Sequence, residues 1–554
     1  MKTFLLSAIA IAISSLGFAN AQTLSKFAPA NALASIELND MAGARKQSAA
    51  LVKQLADLNI GTVLAEATGS SKKEQRDLEM MLNDFGSLVD REGLVSLYLS
   101  PKSGQVGFLL AARPATNSDA KMTKWMQDSA KSMGARGSRI LGFPVYQSSF
   151  VNFGYLGGIA YAASDTATLN EFLSRFRNQG NFTKPSLAAS PSYSEVMNQV
   201  GTGNMRIYFD LRNASQLARG IIDMVDPELP GIKLEPVLDA LTTYGRFAGA
   251  WRITSDGIDN TTITVPEARG ADTQFARLLT PKDAIDLKAA SVVPASATGF
   301  STSSNNFTLW YDWLSSLTDR TGVNPGGLDT FFKGEFGIDA RKSILGWMTG
   351  ELASATFIGK GAAQSLGESV QYIGTKDEKA TSEMIEKVLP KLIEIGQRLA
   401  QQKVNSKFTK TKLGNTDIYR FVVADNTPII LAVKDGFLMV ATSDTGITAA
   451  LSSGAKLESS ANYKTATARV PKDALGWSYG DTTAGLKSAA EGASQILELV
   501  LGFGLDLKPS TSKKLVSSIT GLLNALGDRA GFAISWTEVA PVGTKTRSFQ
   551  PVKW

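Results

Sequence analysis

The segment Pro294-Ala295-Ser296-Ala297 repeats, with one change, the earlier segment Pro29-Ala30-Asn31-Ala32, which lies 265 positions before it. Further pairs follow in the same order: Ser164-Asp165-Thr166 with Ser443-Asp444-Thr445, Ser192-Tyr193 with Asn462-Tyr463, and Tyr208-Phe209-Asp210 with Tyr479-Gly480-Asp481. The spacing between partners stays between 265 and 279 positions. A repeat of this length indicates two copies of one folding unit rather than a solenoid of short repeats.

The length of the chain suits two such units. Its 554 residues are too many for one hydrophobic core, and an apolar fraction of 43% with a charged fraction of 19% is ordinary for a globular protein. We therefore predict a signal peptide at residues 1–21, a first copy at 22–267, a linker at 268–293 and a second copy at 294–554.

Each copy is predicted to be an α+β unit in which antiparallel sheets are flanked by amphipathic helices. Strands of period two alternate irregularly with helical segments of period 3.6. In the second copy, Asp435-Gly436 between two apolar runs predicts a hairpin. The apolar face after Asp377 predicts a long helix, which Pro390 should bend. The aspartate before each of two short helices, Asp165 or Asp444, is expected to be its N-cap.

The N-terminus has the pattern of a secretory signal peptide. Lys2 precedes an apolar stretch from Phe4 to Phe18, and Ala19-Asn20-Ala21 forms a small-x-small cleavage site. An uncleaved membrane anchor would need a longer apolar stretch, and without a Cys at the cleavage site a lipoprotein anchor is excluded. We expect cleavage after Ala21 and an extracytoplasmic protein that is periplasmic, associated with the cell envelope or secreted.

Charge and hydropathy give no sign of a membrane span or of nucleic-acid binding. The longest later apolar stretch, Ile496–Leu505, is shorter than the roughly 20 residues of a membrane helix. The formal net charge of +6 indicates weak attraction to anionic surfaces. The densest basic segment, Lys407–Lys412, alternates with uncharged residues as the solvated face of a strand does. We predict no transmembrane span in the mature chain and no nucleic-acid partner.

The chain contains neither Cys nor His. Their absence excludes thiol catalysis, thiolate metal sites, Ser-His-Asp triads and His-ligated metals. No Walker A loop, dinucleotide-binding glycine motif, EF-hand loop or nucleophile elbow occurs either. We predict that the protein is not an enzyme, and that it has no cofactor, no metal site and no catalytic residue.

Three carboxylates remain as candidates for chemistry. Asp210 and Asp481 each end a predicted strand and begin a helix, so they form either a matched catalytic pair or, as we favour, duplicated N-caps. Glu351, which follows Gly350, is a candidate acid or base. A sheet-edge or salt-bridging role is the stronger interpretation for Glu351.

Two apolar helical regions follow the paired aspartates, at Gln216–Met224 and Leu486–Leu505. The second is apolar on more than one face, which is typical of a helix buried between a sheet and another helix. It also fits the wall of an apolar groove between the copies, or a membrane-surface contact. The candidate groove residues are Leu486, Ile496, Leu497, Val500, Leu501, Phe503, Ile221 and Ile222.

Several motifs of the second copy resemble a known family. They are Phe336-Gly337-Ile338-Asp339, Ile344-Leu345-Gly346-Trp347-Met348-Thr349-Gly350-Glu351, the Asp435-Gly436 hairpin, Ser443 and Asn462-Tyr463. Together they resemble the bacterial domain-of-unknown-function family numbered 3352, whose members are exported proteins. The first copy departs from this pattern, because Phe85-Gly86 leads to Glu92-Gly93-Leu94 instead of a Gly-Glu pair. The family has no established activity, so the resemblance implies export and assigns no site.

The sequence favours a non-catalytic binding or structural role in the cell envelope, as a subunit of a cell-surface complex with an envelope protein or lipid as partner. One alternative is a soluble carrier of lipid or another apolar ligand, which a sizeable apolar cavity would mark. The other is a secreted hydrolase with two carboxylates about 5–10 Å apart in a cleft.

Overall fold

A computed structural model describes most of the chain. The described residues are 24–39, 42–44, 46–49, 89–99, 106–149, 151–178, 184–212, 233–267, 272–281, 284–358, 368–399, 407–422, 428–491, 517, 520–521 and 523–554. The predicted signal peptide lies outside them. We call the described residues up to 267 the first half and those from 272 the second half.

The described residues contain ten strands in each half. Those of the first half are β1 (Ala32–Asn39), β2 (Val89–Leu99), β3 (Val106–Pro114), β4 (Arg136–Ile140), β5 (Phe143–Gln147), β6 (Asn152–Leu156), β7 (Ile159–Ala163), β8 (Met205–Asp210), β9 (Arg246–Thr254) and β10 (Gly257–Val265). Those of the second half are β11 (Ala297–Ser304), β12 (Met348–Phe357), β13 (Glu368–Thr375), β14 (Lys407–Leu413), β15 (Thr416–Val422), β16 (Pro428–Lys434), β17 (Phe437–Ala441), β18 (Gly476–Asp481), β19 (Phe532–Ala540) and β20 (Gly543–Pro551).

Helices connect and cover these strands. Those of the first half are α1 (Asp119–Ser132), α2 (Thr166–Arg177), α3 (Pro191–Val200) and α4 (Glu235–Thr243). Those of the second half are α5 (Thr273–Leu279), α6 (Phe307–Arg320), α7 (Gly327–Phe331), α8 (Glu378–Lys387), α9 (Leu389–Leu399), α10 (Asp444–Ala450), α11 (Ala461–Thr467) and α12 (Thr482–Glu491). The protein therefore has the α+β class expected from its sequence.

All twenty described strands belong to one antiparallel sheet. From its centre, the paired strands run β10, β9, β8, β1, β2, β3, β7, β6, β5, β4 to one edge. To the other edge they run β20, β19, β18, β11, β12, β13, β17, β16, β15, β14. At the centre β10 pairs with β20, in a register that sets Gly257 against Pro551 and Thr264 against Thr544. The C-terminal strand therefore joins the two halves.

Helices pack on both faces of the sheet. We call one face the core face. On it, α2 and α3 cover the first half with residues such as Phe172 and Tyr193. Helices α10 and α11 cover the second half on the same face with Ile447 and Tyr463. On the opposite face, the second face, α1 covers strands β6 and β7 of the first half. In the second half α8 and α9 cover β15 to β17 there. Near the middle of the second face, α5, α6 and residues 345–350 form the walls of the site described below.

One turn, one helix break and one helix cap follow from local sequence. Asp435 and Gly436 have φ angles of 53° and 78° and form the predicted hairpin turn between β16 and β17. The helix after Asp377 is divided into α8 and α9 just before Pro390, as expected for a residue without a backbone N–H. Its N-cap is Asp377, whose Oδ1 accepts the backbone N–H of Ala380 at 2.9 Å.

Three details differ from the sequence-based expectations. Strand β6 was not predicted; it pairs with β7 in a hairpin that turns at Gly157 and Gly158, both with positive φ angles. Asp165 caps α2 as expected, but Ser443 and not Asp444 caps α10, because the Ser443 hydroxyl accepts the N–H of Gly446 at 2.9 Å. Finally, no strand was expected where β10 lies.

Candidate functional site: a cleft on the second face

A cleft of about 950 Å³ lies on the second face of the sheet, in the second half. Strands β11, β18 and β19 form its floor, and α5, α6 and residues 345–350 form its walls. Its volume is near the upper end of the range of about 300–1,000 Å³ that is usual for ligand-binding clefts. Its lining includes Arg277, Leu278, Ser303, Asn305, Leu309, Trp310, Leu345, Met348, Thr349, Ser478, Ser535 and Thr537.

Hydroxyl groups cover the floor of the cleft. Residues paired directly across neighbouring strands share a face, and Ser478 of β18 pairs with Ser535 of β19. The Oγ atoms of these two serines are 2.7 Å apart, and Oγ1 of Thr537 lies 3.0 Å from Oγ1 of Thr546 in β20. Ser303 of β11 extends the set. A hydroxyl can donate one hydrogen bond and accept two, so each such pair keeps capacity for a ligand.

Asp272 holds the two wall helices together. This side chain is 3% exposed, and it accepts hydrogen bonds from the N–H of Phe275 (3.0 Å), Nε1 of Trp313 (3.0 Å) and Arg320 (2.6 Å). The rings of Phe275 and Trp313 stack with centroids 4.7 Å apart. Burial opposes ionisation of Asp272, but its three donors lower its pKa overall. The junction therefore fixes α6 relative to α5.

Trp310 is an exposed aromatic side chain of the wall. Helix α6 begins after Asn306, whose Oδ1 accepts the N–H of Leu309 at 2.9 Å, so that Trp310 lies in the first turn. Its ring meets that of Trp313 edge to face, with centroids 5.6 Å apart, and its side chain is 37% exposed. Part of the indole is therefore accessible to a bound molecule.

The cleft carries little charge. Among the described residues that line it, Arg277 is the only charged one. Apolar side chains, among them Leu309, Leu345 and Met348, line the cleft together with the hydroxyl floor. The arrangement suits a molecule that is uncharged, hydrogen-bonding on one side and apolar on another.

A second depression of about 470 Å³ lies beside the β14–β15 turn. Its wall is charged, with Glu378, Lys412, Asp417 and Asp435 among its residues. Glu378 is engaged there, since its Oε1 accepts the N–H of Gly436 at 2.7 Å. This depression has the character of a polar surface indentation.

Glu351, the candidate acid or base, anchors backbone instead. It is 3% exposed and accepts the N–H groups of Lys288 (2.9 Å) and Ala289 (2.8 Å) and the hydroxyl of Thr302 (2.9 Å). Its strand β12 lies inside the sheet between β11 and β13, so Glu351 is not at a sheet edge. Three donors satisfy the buried carboxylate and connect β12 to the turn that precedes β11.

A second group of buried carboxylates lies in the first half. Glu37 accepts hydrogen bonds from the hydroxyl of Tyr193 and from Nη1 of Arg206 at 3.2 Å. Glu92 forms an ion pair with Nε of Arg113 at 3.1 Å. Burial raises the pKa of Glu92, and the positive charge of Arg113 only partly offsets this effect. Both carboxylates are almost fully buried in the sheet.

The paired aspartates also have structural partners. Asp481 Oδ1 accepts the N–H of Ala484 at 2.9 Å and thereby caps α12. Asp210 Oδ1 likewise accepts the backbone N–H of Arg212 at 3.2 Å, and the same carboxylate binds the Arg212 guanidinium, with its Oδ2 2.7 Å from Nη2 and its Oδ1 2.9 Å from Nε. The hydrogen bonds that Arg212 donates to the Asp210 carboxylate raise the pKa of Arg212.

The groove predicted from the apolar helices falls mostly outside the described residues. Of its candidates only Leu486 is described. It lies half-buried in α12, near Gly527, and does not line the cleft. Outside the described residues are Ile221, Ile222, Ile496, Leu497, Val500, Leu501 and Phe503. The predicted groove therefore stays a prediction.

Sequence reasoning missed the cleft that the structure contains. Its floor residues come from three strands that together span more than 200 positions of the chain, and none belongs to a motif. A usable signal was the alternation in β11, where Ser301 and Ser303 share one face while Phe300 and Thr302 are buried on the other.

The described residues contain neither a cluster suited to a metal ion nor a helix suited to a membrane span. No group of three or more Asp and Glu residues in them is arranged to hold a metal ion. No helix among them combines the length and the hydropathy needed to cross a membrane.

Comparison with known proteins gives a family and weak structural similarities. No curated protein matches the chain. Crystal forms IV, I and III of TP0453 match with 11%, 10% and 11% identity and TM-scores of 0.25, 0.24 and 0.25. They cover 44%, 46% and 49% of this chain and 81%, 82% and 91% of theirs. Scores this low carry no argument about fold or function.

The family comparison is more extensive. A model described as "Protein of unknown function (DUF3352)" matches residues 163–504, which is more than half of the chain. The match includes the motifs around Phe336, Glu351 and the Asp435-Gly436 hairpin. The chain therefore belongs to the DUF3352 family.

Proposed function

We propose that the protein is exported to the cell envelope and has a non-catalytic binding role there, with the cleft on the second face as its binding site. The observation that carries this proposal is the cleft itself. It is large enough for a small ligand, it combines a hydroxyl floor with an exposed indole, and Asp272 fixes its walls. The signal-peptide pattern of residues 1–21 supports export.

We also propose that the two halves are tandem copies of one unit. The strand order outward from the centre is the same in both. The β1–β2 pair has an irregularity between Ala32 and Ala34, and the β11–β12 pair has one between Ala297 and Gly299, 265 positions later. Chance does not readily produce agreement at this level of register.

Buried glutamates add support for the duplication. Glu92 of β2 lies opposite Asn39, and Glu351 of β12 lies opposite Ser304, which is 265 positions after Asn39. Both side chains are buried. The copies have diverged around them, since Glu351 binds two backbone amides whereas Glu92 is paired with Arg113.

An apolar-ligand carrier is the second candidate function. The apolar side of the cleft, with Leu309, Leu345 and Met348, favours it. A carrier and a complex subunit differ in what accompanies the protein after gentle purification.

The test is purification from fractionated cells, followed by native mass spectrometry. We expect a chain that begins at Gln22, in the extracytoplasmic fraction, with a stoichiometric small molecule bound. Leu345→Trp, which fills the cleft, should lose that molecule, and Leu314→Trp, on an exposed part of the wall helix α6, should retain it. A cytoplasmic precursor, or a ligand unaffected by Leu345→Trp, would contradict the proposal.

A further inference from the structure

We propose that the cleft binds a neutral sugar ring of a glycan, with one ring face packed on Trp310 and hydroxyl groups bonded to the floor. This inference rests on the proposed function and specifies its ligand class.

The floor matches a polyhydroxylated molecule. Ser478 and Ser535 share one hydrogen bond, so the pair still has one hydroxyl hydrogen to donate and lone pairs to accept. Ser303 and Thr537 extend the hydroxyl surface over neighbouring strands, which are spaced about 4.8 Å apart. Groups that both donate and accept are the natural partners of sugar hydroxyls, which also do both.

The wall supplies the apolar contact that a pyranose needs. One face of such a ring exposes C–H groups, and these pack on the electron-rich face of an indole. Trp310 is 37% exposed at the cleft and is held edge to face by Trp313. A preset indole loses little conformational freedom when a ligand binds.

Charge argues for a neutral ligand. Arg277 is the only charged group among the described lining residues, and anionic ligands are usually bound by several cations or bidentate arginines. A hydrocarbon chain fits less well, because it would cover Ser478 and Ser535 without replacing their contacts with water. The hydroxyl floor therefore distinguishes a sugar from an acyl chain.

The same face of the first half has a different surface. There β1, β8 and β9 pair Ile36 with Ile207, and Leu38 with Met205, which in turn pairs with Trp251. Ser301 pairs with Ser478 in the corresponding place of the second half. The hydroxyl surface is therefore particular to the second half and is not a general property of this sheet.

The experiment is calorimetric titration of the full-length mature protein with cellotetraose, maltotetraose and N-acetylated chitotetraose, and separately with palmitate. Each titration is repeated with Trp310→Ala, with Ser535→Ala and with Leu314→Ala. Leu314 is the matched control, because it is 42% exposed on the same helix and does not line the cleft. We expect at least one tetrasaccharide to bind, and Trp310→Ala to weaken it by about tenfold, as the loss of an aromatic contact implies.

Ser535→Ala should weaken the same tetrasaccharide, and Leu314→Ala should leave its affinity unchanged. The inference is overturned if no tetrasaccharide binds, or if sugar binding is insensitive to Trp310→Ala. If no tetrasaccharide binds, but palmitate binds and Trp310→Ala weakens its binding, the sugar assignment is overturned. The proposed binding role then remains intact. Absence of any ligand in both this experiment and native mass spectrometry would overturn both.

Discussion

The carboxyl group of Glu92 is 2% exposed, and its environment disfavours the ionised form. Burial raises its pKa, and nearby Glu37 adds to this effect, whereas Arg113, Arg91 and Lys26 oppose it. The folded protein therefore binds the proton of Glu92 more tightly than the unfolded chain does. This difference links stability to pH.

We expect Glu92→Gln to change the pH dependence of stability. In the wild type, the ionised form of Glu92 lowers the free energy of unfolding. This loss of stability begins as the pH rises above the unfolded pKa near 4.5 and grows until the pH passes the raised folded pKa. It is relieved as the pH falls. Glutamine does not titrate, so the variant should gain stability relative to the wild type as the pH rises above the unfolded pKa near 4.5. Urea unfolding across this range measures the effect. Glu383→Gln, at an exposed site, is the control, and parallel profiles for Glu92→Gln and the wild type would contradict the argument.

Asp272 is the opposite case, with a lowered pKa. Asp272→Ala removes the acceptor for Phe275, Trp313 and Arg320 and should cost about 2–4 kcal/mol of unfolding free energy at neutral pH. The wild-type contribution is present above the unfolded pKa of 3.8 and is lost as the pH falls through the lower folded pKa. Asp286→Ala removes an exposed ion pair and should cost less than about 0.5 kcal/mol. Equal costs for the two variants would refute the assigned role of Asp272.

At the residue scale, helix N-caps could be predicted from the sequence more reliably than hydrogen bonds between distant residues. Asp165 and Asp481 cap helices as expected, because capping depends on residues within three positions. Asp444 does not, since Ser443 one position earlier supplies the same acceptor. The anchoring of Glu351 by Lys288 and Ala289 joins residues more than 60 positions apart, and no local pattern encodes it.

Among the elements, β10 and β20 matter most, because they join the halves. Gly257 and Gly543 begin these two strands with φ angles of 154° and 151°. A Cβ on Gly257 would lie 2.1 Å from the carbonyl oxygen of Gln550, and one on Gly543 would lie 2.0 Å from that of Thr264. Each strand thus approaches the other too closely for a side chain at these points.

Gly257→Ala and Gly543→Ala should therefore destabilise the protein by similar amounts, each by about 2 kcal/mol or more. The matched control is Gly480→Ala in β18, where nothing lies within 4 Å of the added Cβ. Thermal unfolding of the three variants measures the effect. If the two central variants are as stable as Gly480→Ala, the described β10–β20 contact is wrong.

Elements with strong local signals were predicted from the sequence. Asp435-Gly436 is the signal for the turn of the β16–β17 hairpin, and Pro390 is the signal for the break between α8 and α9. Strand β6 was missed because it is only five residues long and the apolar pattern continues from it through Gly157 and Gly158 into β7. Strand β10 was missed because several of its residues are polar, among them Asn260 and Thr262, and because its pairing with β20 is non-local.

At the scale of the whole molecule, the described strands form one sheet with unlike surfaces on its two halves. The fold class could be predicted from sequence periodicity. The cleft could not, because it needs β11, β18, β19 and the α5–α6 wall to assemble before its surface exists. A binding site made from such distant segments leaves only single serines and threonines in the sequence.

Hydrogen–deuterium exchange is the most direct test that the cleft is the binding site. Protein purified gently from the cell envelope is compared with the same protein after unfolding, removal of small molecules and refolding. Our account predicts slower exchange in the gently purified protein at residues 304–310 and 476–478, and no difference in β1, β8 and β9. Identical exchange in the two samples, or protection confined to the first half, would contradict it.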